Sequence, residues 1–189
     1  MSDLIVGDDG LARCPWGDRP ADLRRYHDEE WAVPVRERDP LFERITLEAF
    51  QSGLSWLTVL RKRERFRKAF AGFDVEAVAA FGETDVLRLL ADPGIVRNRA
   101  KVEATVANAG AILALGTDLA DLLWSFAPAP RPAPPSFADV PATTPESVAM
   151  SKELKRRGFR FVGPTTAYAL MEATGMVDDH LAGCTARRS

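Results

Sequence analysis

The chain has 189 residues, of which 46% are hydrophobic, and a formal net charge of −2 at pH 7. This composition excludes a disordered chain and supplies enough apolar surface for one folded domain. The near-neutral total does not indicate a nucleic-acid partner, so any DNA-binding surface must come from local charge clusters. The sequence has neither an apolar run of membrane-spanning length nor a signal-peptide pattern. We therefore expect a cytoplasmic protein that does not bind membranes.

The predicted domain organisation is simple. Residues 1–12 carry no core pattern and are expected to form a flexible N-terminus, and residues 13–189 are expected to form a single domain. Residues 127–136 contain five prolines, which lack an amide hydrogen and disfavour helix in the preceding residue. They predict an extended surface segment between a helical block and a C-terminal return.

The predicted elements are helices, and no segment has a convincing strand pattern. The first long helix is predicted over 40–52, where Leu41, Ile45 and Glu48 share a face that would reach Ser52 and Trp56 if Gly53 does not interrupt it. Ser55 is predicted to cap a helix running to about Gly72, and Asp74 and Thr84 to cap short helices near 75–80 and 85–91. Later helices are predicted from near Asn98, with Val102, Val106, Ala109 and Leu113 facing inward, and over about 118–126, 145–157 and 164–175.

The two cysteines and two histidines pair at opposite ends of the chain: Cys14 with His27, and His180 with Cys184. The four-residue spacing of the second pair lets both side chains face one ion, and a thiolate–imidazole set suits tetrahedral zinc. Four unrelated residues are the alternative, and spacing alone leaves both possibilities open. A closed set of four protein ligands leaves no position for water, so this zinc would be structural and would tie the two ends together.

Glu48 is a lone carboxylate on an otherwise apolar helix face, and a buried carboxylate needs a partner or a function. The aromatic residues Trp16, Tyr26, Trp31 and Trp56 flank the same elements. A salt bridge for Glu48 and core packing for the rings are the alternatives. Together these groups would form a receptor for a flat, cationic ring, in which the rings stack and the carboxylate accepts a hydrogen bond from an exocyclic amine.

Basic residues are concentrated locally despite the near-neutral total. Residues 92–101 join two predicted helices, Gly94 permits close backbone approach, and the following helix begins with free amides that suit a phosphate. Arg97 and Arg99 add positive charge there. Further basic runs lie at 61–68 and 152–160. A plain interhelical turn and solvated helix faces are the alternatives to a DNA-tracking surface.

In combination, these residues resemble the bacterial 3-methyladenine DNA glycosylase I family, often called Tag, from about Arg13 to Cys184. The stretches that carry the resemblance are Arg13-Cys14-Pro15-Trp16, Tyr26-His27-Asp28-Glu29-Glu30-Trp31, Leu47-Glu48-Ala49-Phe50-Gln51-Ser52-Gly53-Leu54-Ser55-Trp56, Gly94-Ile95-Val96-Arg97-Asn98-Arg99, the segment 152–163, and Asp178-Asp179-His180 with Cys184.

The resemblance implies an all-α, helix-hairpin-helix DNA glycosylase fold. It implies one structural zinc ion per chain, which joins the N- and C-terminal segments through Cys14, His27, His180 and Cys184. It places the base-binding and catalytic carboxylate on Glu48 and the pocket aromatics on Trp16, Tyr26 and Trp56. It also places the DNA-anchoring hairpin at 92–98, so that Gly94, Val96, Arg97 and Arg99 are the expected DNA-binding residues.

The implied activity is base-excision repair. The enzyme would flip 3-methyladenine out of double-stranded alkylated DNA, hydrolyse its N-glycosidic bond without a lysine Schiff base, and bind the free base as product. We expect a monomer in the cytoplasm that associates with the nucleoid when it acts on DNA. As in this family, the helix after the hairpin offers no aspartate before Asp118.

One departure from the family pattern is Leu23, which stands where a further pocket tyrosine is usual. It keeps open a non-catalytic module that binds alkylated bases on the same fold, although Glu48 and Tyr26 favour an enzyme. A zinc hydrolase is the other alternative. It would need an open position on the metal and a nearby general base, and the four protein ligands leave no such position.

Overall fold

The computed structural model describes residues 3–188, and over that range its regular secondary structure is almost all helical, with helices covering about half of the residues. No helix in the described part of the chain is both long and apolar enough to span a bilayer. The helices are α1 (Ala21–Glu29), α2 (Arg38–Gln51), α3 (Trp56–Ala69), α4 (Val75–Ala79), α5 (Glu83–Ala91), α6 (Arg99–Leu113), α7 (Leu119–Trp124), α8 (Pro145–Arg156) and α9 (Pro164–Ala173). Single 3₁₀ turns lie at Pro15–Gly17, Ala71–Phe73 and Phe137–Asp139.

Capping residues mark three helix starts at the predicted positions. Ser55 accepts from the amide of the third residue of α3 at 3.3 Å, Asp74 caps α4, and Asn98 caps α6. The predicted cap at Thr84 is wrong, because α5 already begins at Glu83. There the side chain of Asp85 accepts from the amide of Gly82 at 3.2 Å and stabilises the first turn in place of a capping hydroxyl.

Helix α2 is the centre of the molecule. All ten residues from Leu41 to Phe50 are buried, because α3, α6, α7 and α9 pack around it. The helix ends at Gln51, and Gly53 follows with φ +80°, a conformation that favours glycine. Gly53 therefore interrupts the face shared by Leu41, Ile45 and Glu48, and Trp56 begins the second helix, α3, which Ser55 caps as predicted.

The buried face of α6 differs at one end from the prediction. Val102 and Ala109 are fully buried and Val106 is half-buried, but Leu113 is 49% exposed. Leu113 is the last residue of the helix, and the core contacts expected of it are made by Ile112 and Leu115, where the chain turns away.

Residues 5–13 contain a short antiparallel pair that the sequence does not predict. Strand β1 (Ile5–Val6) pairs with β2 (Ala12–Arg13), and Met1 and Ser2 lie outside the described residues. The buried Arg13 guanidinium binds Asp9 at 2.7 Å and Asp28 of α1 at 2.8 Å. The prediction of a segment without strands is therefore wrong here, because ion pairs and strand pairing order a stretch that has no core residues.

Candidate active site

A cavity of about 380 Å³ opens between α1, α2, α9 and the first residue of α3, a size typical of small-molecule sites. The predicted pocket residues Trp16, Tyr26, Glu48 and Trp56 all line it. Its other lining residues are Cys14, Trp31, Gln51, Phe137, Val140, Pro141, Ala142, Ala169, Glu172 and Asp179. The chain thus brings distant aromatic and acidic residues to one concave site.

The aromatic rings form a continuous group along the cavity. Tyr26 of α1 lies 5.0 Å from Trp56 and 6.3 Å from Trp16, measured between ring centroids, and Trp16 meets Trp31 edge-on at 4.9 Å. The Nε1–H of Trp56 is buried and has no hydrogen-bond acceptor in the described part of the chain. An unpartnered buried donor beside a cavity indicates that a ligand or water supplies the acceptor.

Glu48 projects from the buried helix α2 into the same cavity. It is 5% exposed, and no group among residues 3–188 hydrogen-bonds its carboxyl. Burial raises the pKa of Glu48 to about 8, and the positive charge of Arg44, one turn earlier, opposes this rise only in part. At pH 7 the ligand-free site therefore holds a largely protonated carboxyl that has no partner.

Two further acids at the cavity belong to the C-terminal part of the chain. Asp179 accepts from the Tyr168 hydroxyl and from Arg131, each at 2.5 Å. Burial, together with the carboxylates of Asp179 and Glu48, raises the pKa of Glu172 well above its usual range. The sequence prediction missed Glu172, although a lone acid in the apolar helix α9 is the same signal that singled out Glu48.

Three of the four predicted metal ligands come together beside the cavity. One ligand atom from each of Cys14, His27 and Cys184 lies within 4.8 Å of the other two, and all three residues are buried. Nε2 of His27 is 3.6 Å from Sγ of Cys184, and the amide of Leu181 donates to Sγ of Cys14 at 3.4 Å. This set of thiols and imidazole could hold a metal ion.

The fourth predicted ligand, His180, is buried against this group without joining it. Its ring centroid is 4.7 Å from that of His27, and its Nε2 faces the His27 carbonyl oxygen at 3.4 Å. Both histidines share one feature: Nδ1 of His27 is 2.7 Å from Asp28, and Nδ1 of His180 is 2.7 Å from Asp178. Such carboxylate partners fix the imidazole so that Nε2 is free to bind a metal.

The predicted DNA-anchoring residues lie in the connection between α5 and α6. Gly94 is packed closely there: a Cβ atom would lie 2.5 Å from Nε of Arg65, and its amide donates to Asp92 at 2.7 Å. Val96 is half-buried and packs against the main core, and its carbonyl oxygen accepts from the amide of Asn98 at 3.0 Å. Lys62 of α3 donates to the carbonyl oxygen of Gly94 at 3.2 Å. The turn therefore packs against α3 and is hydrogen-bonded to it.

The two predicted arginines of this connection differ in their surroundings. Arg97 is exposed, and no acidic side chain in the described range pairs with it. Arg99 pairs with Glu83 and with Glu103, each at 3.1 Å. Of the two, Arg97 is the free cation that a phosphate could bind.

Known proteins resemble this chain over nearly its whole length. A family model described as methyladenine glycosylase matches residues 16–188. DNA-3-methyladenine glycosylase 1 of Escherichia coli (strain K12) is 45% identical over 180 residues, which is 92% of this chain and 96% of that protein.

Solved structures agree with this match. A crystal structure of 3-methyladenine DNA glycosylase I (TAG) has a TM-score of 0.89 at 45% identity, over 93% of this chain and 100% of that one. A structure of the Staphylococcus aureus enzyme, reported as the structural basis of 3-methyladenine recognition, has a TM-score of 0.86 at 33% identity, over 94% and 97% of the two chains. The family match thus includes the helices α1, α2, α3 and α9 that line the cavity.

Proposed function

We propose that this chain, which belongs to the methyladenine glycosylase family, removes 3-methyladenine from alkylated double-stranded DNA by hydrolysing its N-glycosidic bond. The observation that carries the proposal is the cavity in which a buried, unpartnered Glu48 faces a group of aromatic rings. A flat base that carries a positive charge and an exocyclic amine complements this cavity in shape, charge and hydrogen bonding.

The charge of the damaged base explains how Glu48 acts. Methylation at N3 makes the adenine cationic, and a cation in the cavity favours the ionised form of the carboxyl. Glu48 then releases its proton to solvent and accepts a hydrogen bond from the exocyclic amine. The base leaves the sugar as a neutral molecule, so no general acid is required. Normal adenine lacks the charge and has a stronger bond, and it is rejected on both grounds.

The aromatic rings and the Trp56 donor hold the base in its flipped position. Stacking on Tyr26, Trp16 and Trp56 offsets the few kcal/mol needed to unstack a nucleotide from the duplex. The Nε1–H of Trp56, unpartnered in the ligand-free site, donates to an acceptor atom of the base. Leu23 lies outside the lining residues, so the cavity forms without the tyrosine usual in this family.

We further infer that the cluster at the chain ends binds one structural zinc ion. Tetrahedral zinc with bond lengths of about 2.3 Å to sulfur and 2.05 Å to nitrogen would set these ligand atoms about 3.6 Å apart. Nε2 of His27 and Sγ of Cys184 are 3.6 Å apart. His180, which lies outside this group of three, would be the fourth ligand, and the contact of its Nδ1 with Asp178 orients its ring. The ion would hold Cys14 and Trp16 beside the cavity.

We infer that the connection between α5 and α6 is the helix-hairpin-helix element that grips the DNA backbone. Its support comes from the Asn98-capped start of α6, whose free amides suit a phosphate, and from the exposed guanidinium of Arg97. In this proposal, the backbone from Gly94 to Val96 forms the turn that approaches the DNA. The predicted monomeric state, cytoplasmic location and association with the nucleoid remain predictions from the sequence.

The activity is tested by incubating the protein with DNA that carries radiolabelled methyl groups and identifying the released bases by chromatography. We expect release of 3-methyladenine, and no covalent protein–DNA complex on borohydride reduction. Binding of free 3-methyladenine without any release from DNA would instead support the non-catalytic base-binding module that Leu23 keeps open. Neither release nor binding would refute both functions.

The zinc site is tested by elemental analysis of purified protein, for which we expect about one zinc per chain. His180→Ala and Cys184→Ala should each lower the zinc content and the melting temperature. A metal-free preparation with the melting temperature and activity of the zinc-loaded protein would contradict the structural role.

A further inference from the structure

One wall of the cavity comes from residues 137–142, to which the sequence prediction assigned no role. Phe137, Val140, Pro141 and Ala142 all line the cavity, and they follow directly on the proline-rich residues 127–136. Val140 contacts both the main core and the smaller cluster around the two cysteines. The segment is therefore part of the site and not only a link between two groups of helices.

This wall is fastened to the two chain ends. The amide of Phe137 donates to Asp3 at 2.9 Å, and the carbonyl oxygen of Pro134 accepts from Ala182 at 2.9 Å. The side chain of Ser136 donates to Asp139 at 2.6 Å, which closes the 3₁₀ turn that carries Phe137. Hydrogen bonds before, at and after Phe137 thus hold the backbone that carries the ring.

Phe137 is 55% exposed although it lines the cavity. A partly exposed ring at the edge of a cavity has apolar surface that an occupant of the cavity can cover. A flipped purine has two flat faces and leaves one side towards the mouth when its other side meets Tyr26 and Trp56. An aromatic side chain at the mouth suits that side.

We propose that Phe137 is a base-contacting residue, whose ring lies against the extruded methylated purine and excludes water from the open side of the cavity. The proposal rests on the function proposed above, because the occupant is the base that the enzyme excises. It adds a wall residue from the 127–142 region to a pocket otherwise built from the N-terminal segment, α1, α2, α3 and α9.

The test compares Phe137→Ala with the wild-type protein and with Leu113→Ala. Leu113 is a matched control, because it is also an exposed apolar residue, at 49%, and does not line the cavity. Affinity for free 3-methyladenine is measured by quenching of tryptophan fluorescence, and melting temperatures are recorded for all three proteins. We expect Phe137→Ala to bind the free base about tenfold more weakly, which is about 1.4 kcal/mol, at an unchanged melting temperature. Leu113→Ala should bind as the wild type does.

Wild-type affinity in Phe137→Ala would overturn the proposal. A second measurement keeps the ring in place. With 4-fluorophenylalanine at position 137, the ¹⁹F NMR chemical shift should change when free 3-methyladenine is added, and an unchanged chemical shift would also overturn the proposal. These outcomes are separate from the proposed function itself. A wild-type protein that releases no 3-methyladenine from DNA would refute the function, whereas an active enzyme indifferent to Phe137→Ala would refute only the wall contact.

Discussion

Glu48→Gln is expected to stabilise the ligand-free protein at neutral and alkaline pH, although it removes the carboxyl proposed to bind the base. The folded state holds the Glu48 proton more tightly than the unfolded chain, since burial raises the pKa from 4.5 to about 8. The raised pKa of Glu48 therefore contributes to the free energy of unfolding. This contribution is fully present below about pH 4.5 and is lost as the pH rises through about 8. Glutamine is uncharged throughout and escapes this loss.

The magnitude follows from the two pKa values. At about 1.4 kcal/mol per pH unit, the wild-type protein loses about 3 kcal/mol by pH 7 and up to about 5 kcal/mol above pH 8 relative to Glu48→Gln. Residual solvation of the ligand-free cavity reduces these figures. Excision should change in the opposite direction, by about 10- to 100-fold, because the variant offers no charge to the cationic base.

Urea denaturation at pH 5, 6, 7 and 8 measures the difference in unfolding free energy between the two proteins. The difference in unfolding free energy should be small at pH 5 and should grow with pH. The titration of any zinc ligands does not contribute to this difference, because both proteins contain the same ligands. Glu64→Gln is the control, since the side chain of Glu64 is 72% exposed on α3. A difference for Glu48→Gln that stays constant from pH 5 to pH 8 would refute the reasoning.

Three further predictions concern the groups around the site. Lys101→Met should lower the free energy of unfolding by about 1–3 kcal/mol in urea, because the buried ammonium donates to two carbonyl oxygens at the end of α2; wild-type stability would contradict this. Arg97→Ala should reduce the slope of log affinity for DNA against log salt by about one, whereas Arg99→Ala, whose charge is already paired, should change it little; equal effects would contradict the assignment. Gly17→Ala should reduce the bound zinc measured by elemental analysis, because a Cβ atom there would lie 2.3 Å from the His27 ring; full zinc content would contradict it.

The sequence predicted the long helices well because their signals are local. Polar caps at Ser55, Asp74 and Asn98 mark helix starts that the structure confirms. Helix α1 was missed because Ala21–Glu29 is short, mostly charged and buried only at Tyr26 and His27, so it has no apolar stripe. Helix α1 is instead stabilised by its contacts with other parts of the chain, namely the turn at Pro15–Gly17 and helix α3.

The site was predicted only in part, because only some of its residues have a signal that is local in the sequence. Glu48 and the rings could be singled out as unusual residue types, and the cysteine–histidine pairs by their positions at the chain ends. The cavity wall around Phe137 could not be predicted from the sequence. Its position depends on hydrogen bonds to Asp3 and Ala182, which are more than 40 residues away along the chain. No spacing rule predicts such contacts, and the same holds for the approach of Asp179 to Arg131.

Two polar groups that have no partner among residues 3–188, the carboxyl of Glu48 and Nε1 of Trp56, line the cavity, and the surrounding packing keeps them there. In the described residues, the buried side-chain atoms without a partner are Nη1 of Arg44, Oγ1 of Thr46 and Nε1 of Trp56, all on α2 or at the start of α3. Each such group destabilises the fold by about 1–3 kcal/mol. A flexible site would relax until these groups and Glu48 found partners, and it would then compete with the base for them. Packing on every side of α2, with Lys101 at its end, prevents that relaxation. Substitutions in this frame should therefore weaken base binding as well as stability, so that Lys101→Met loses affinity for free 3-methyladenine even where it remains folded.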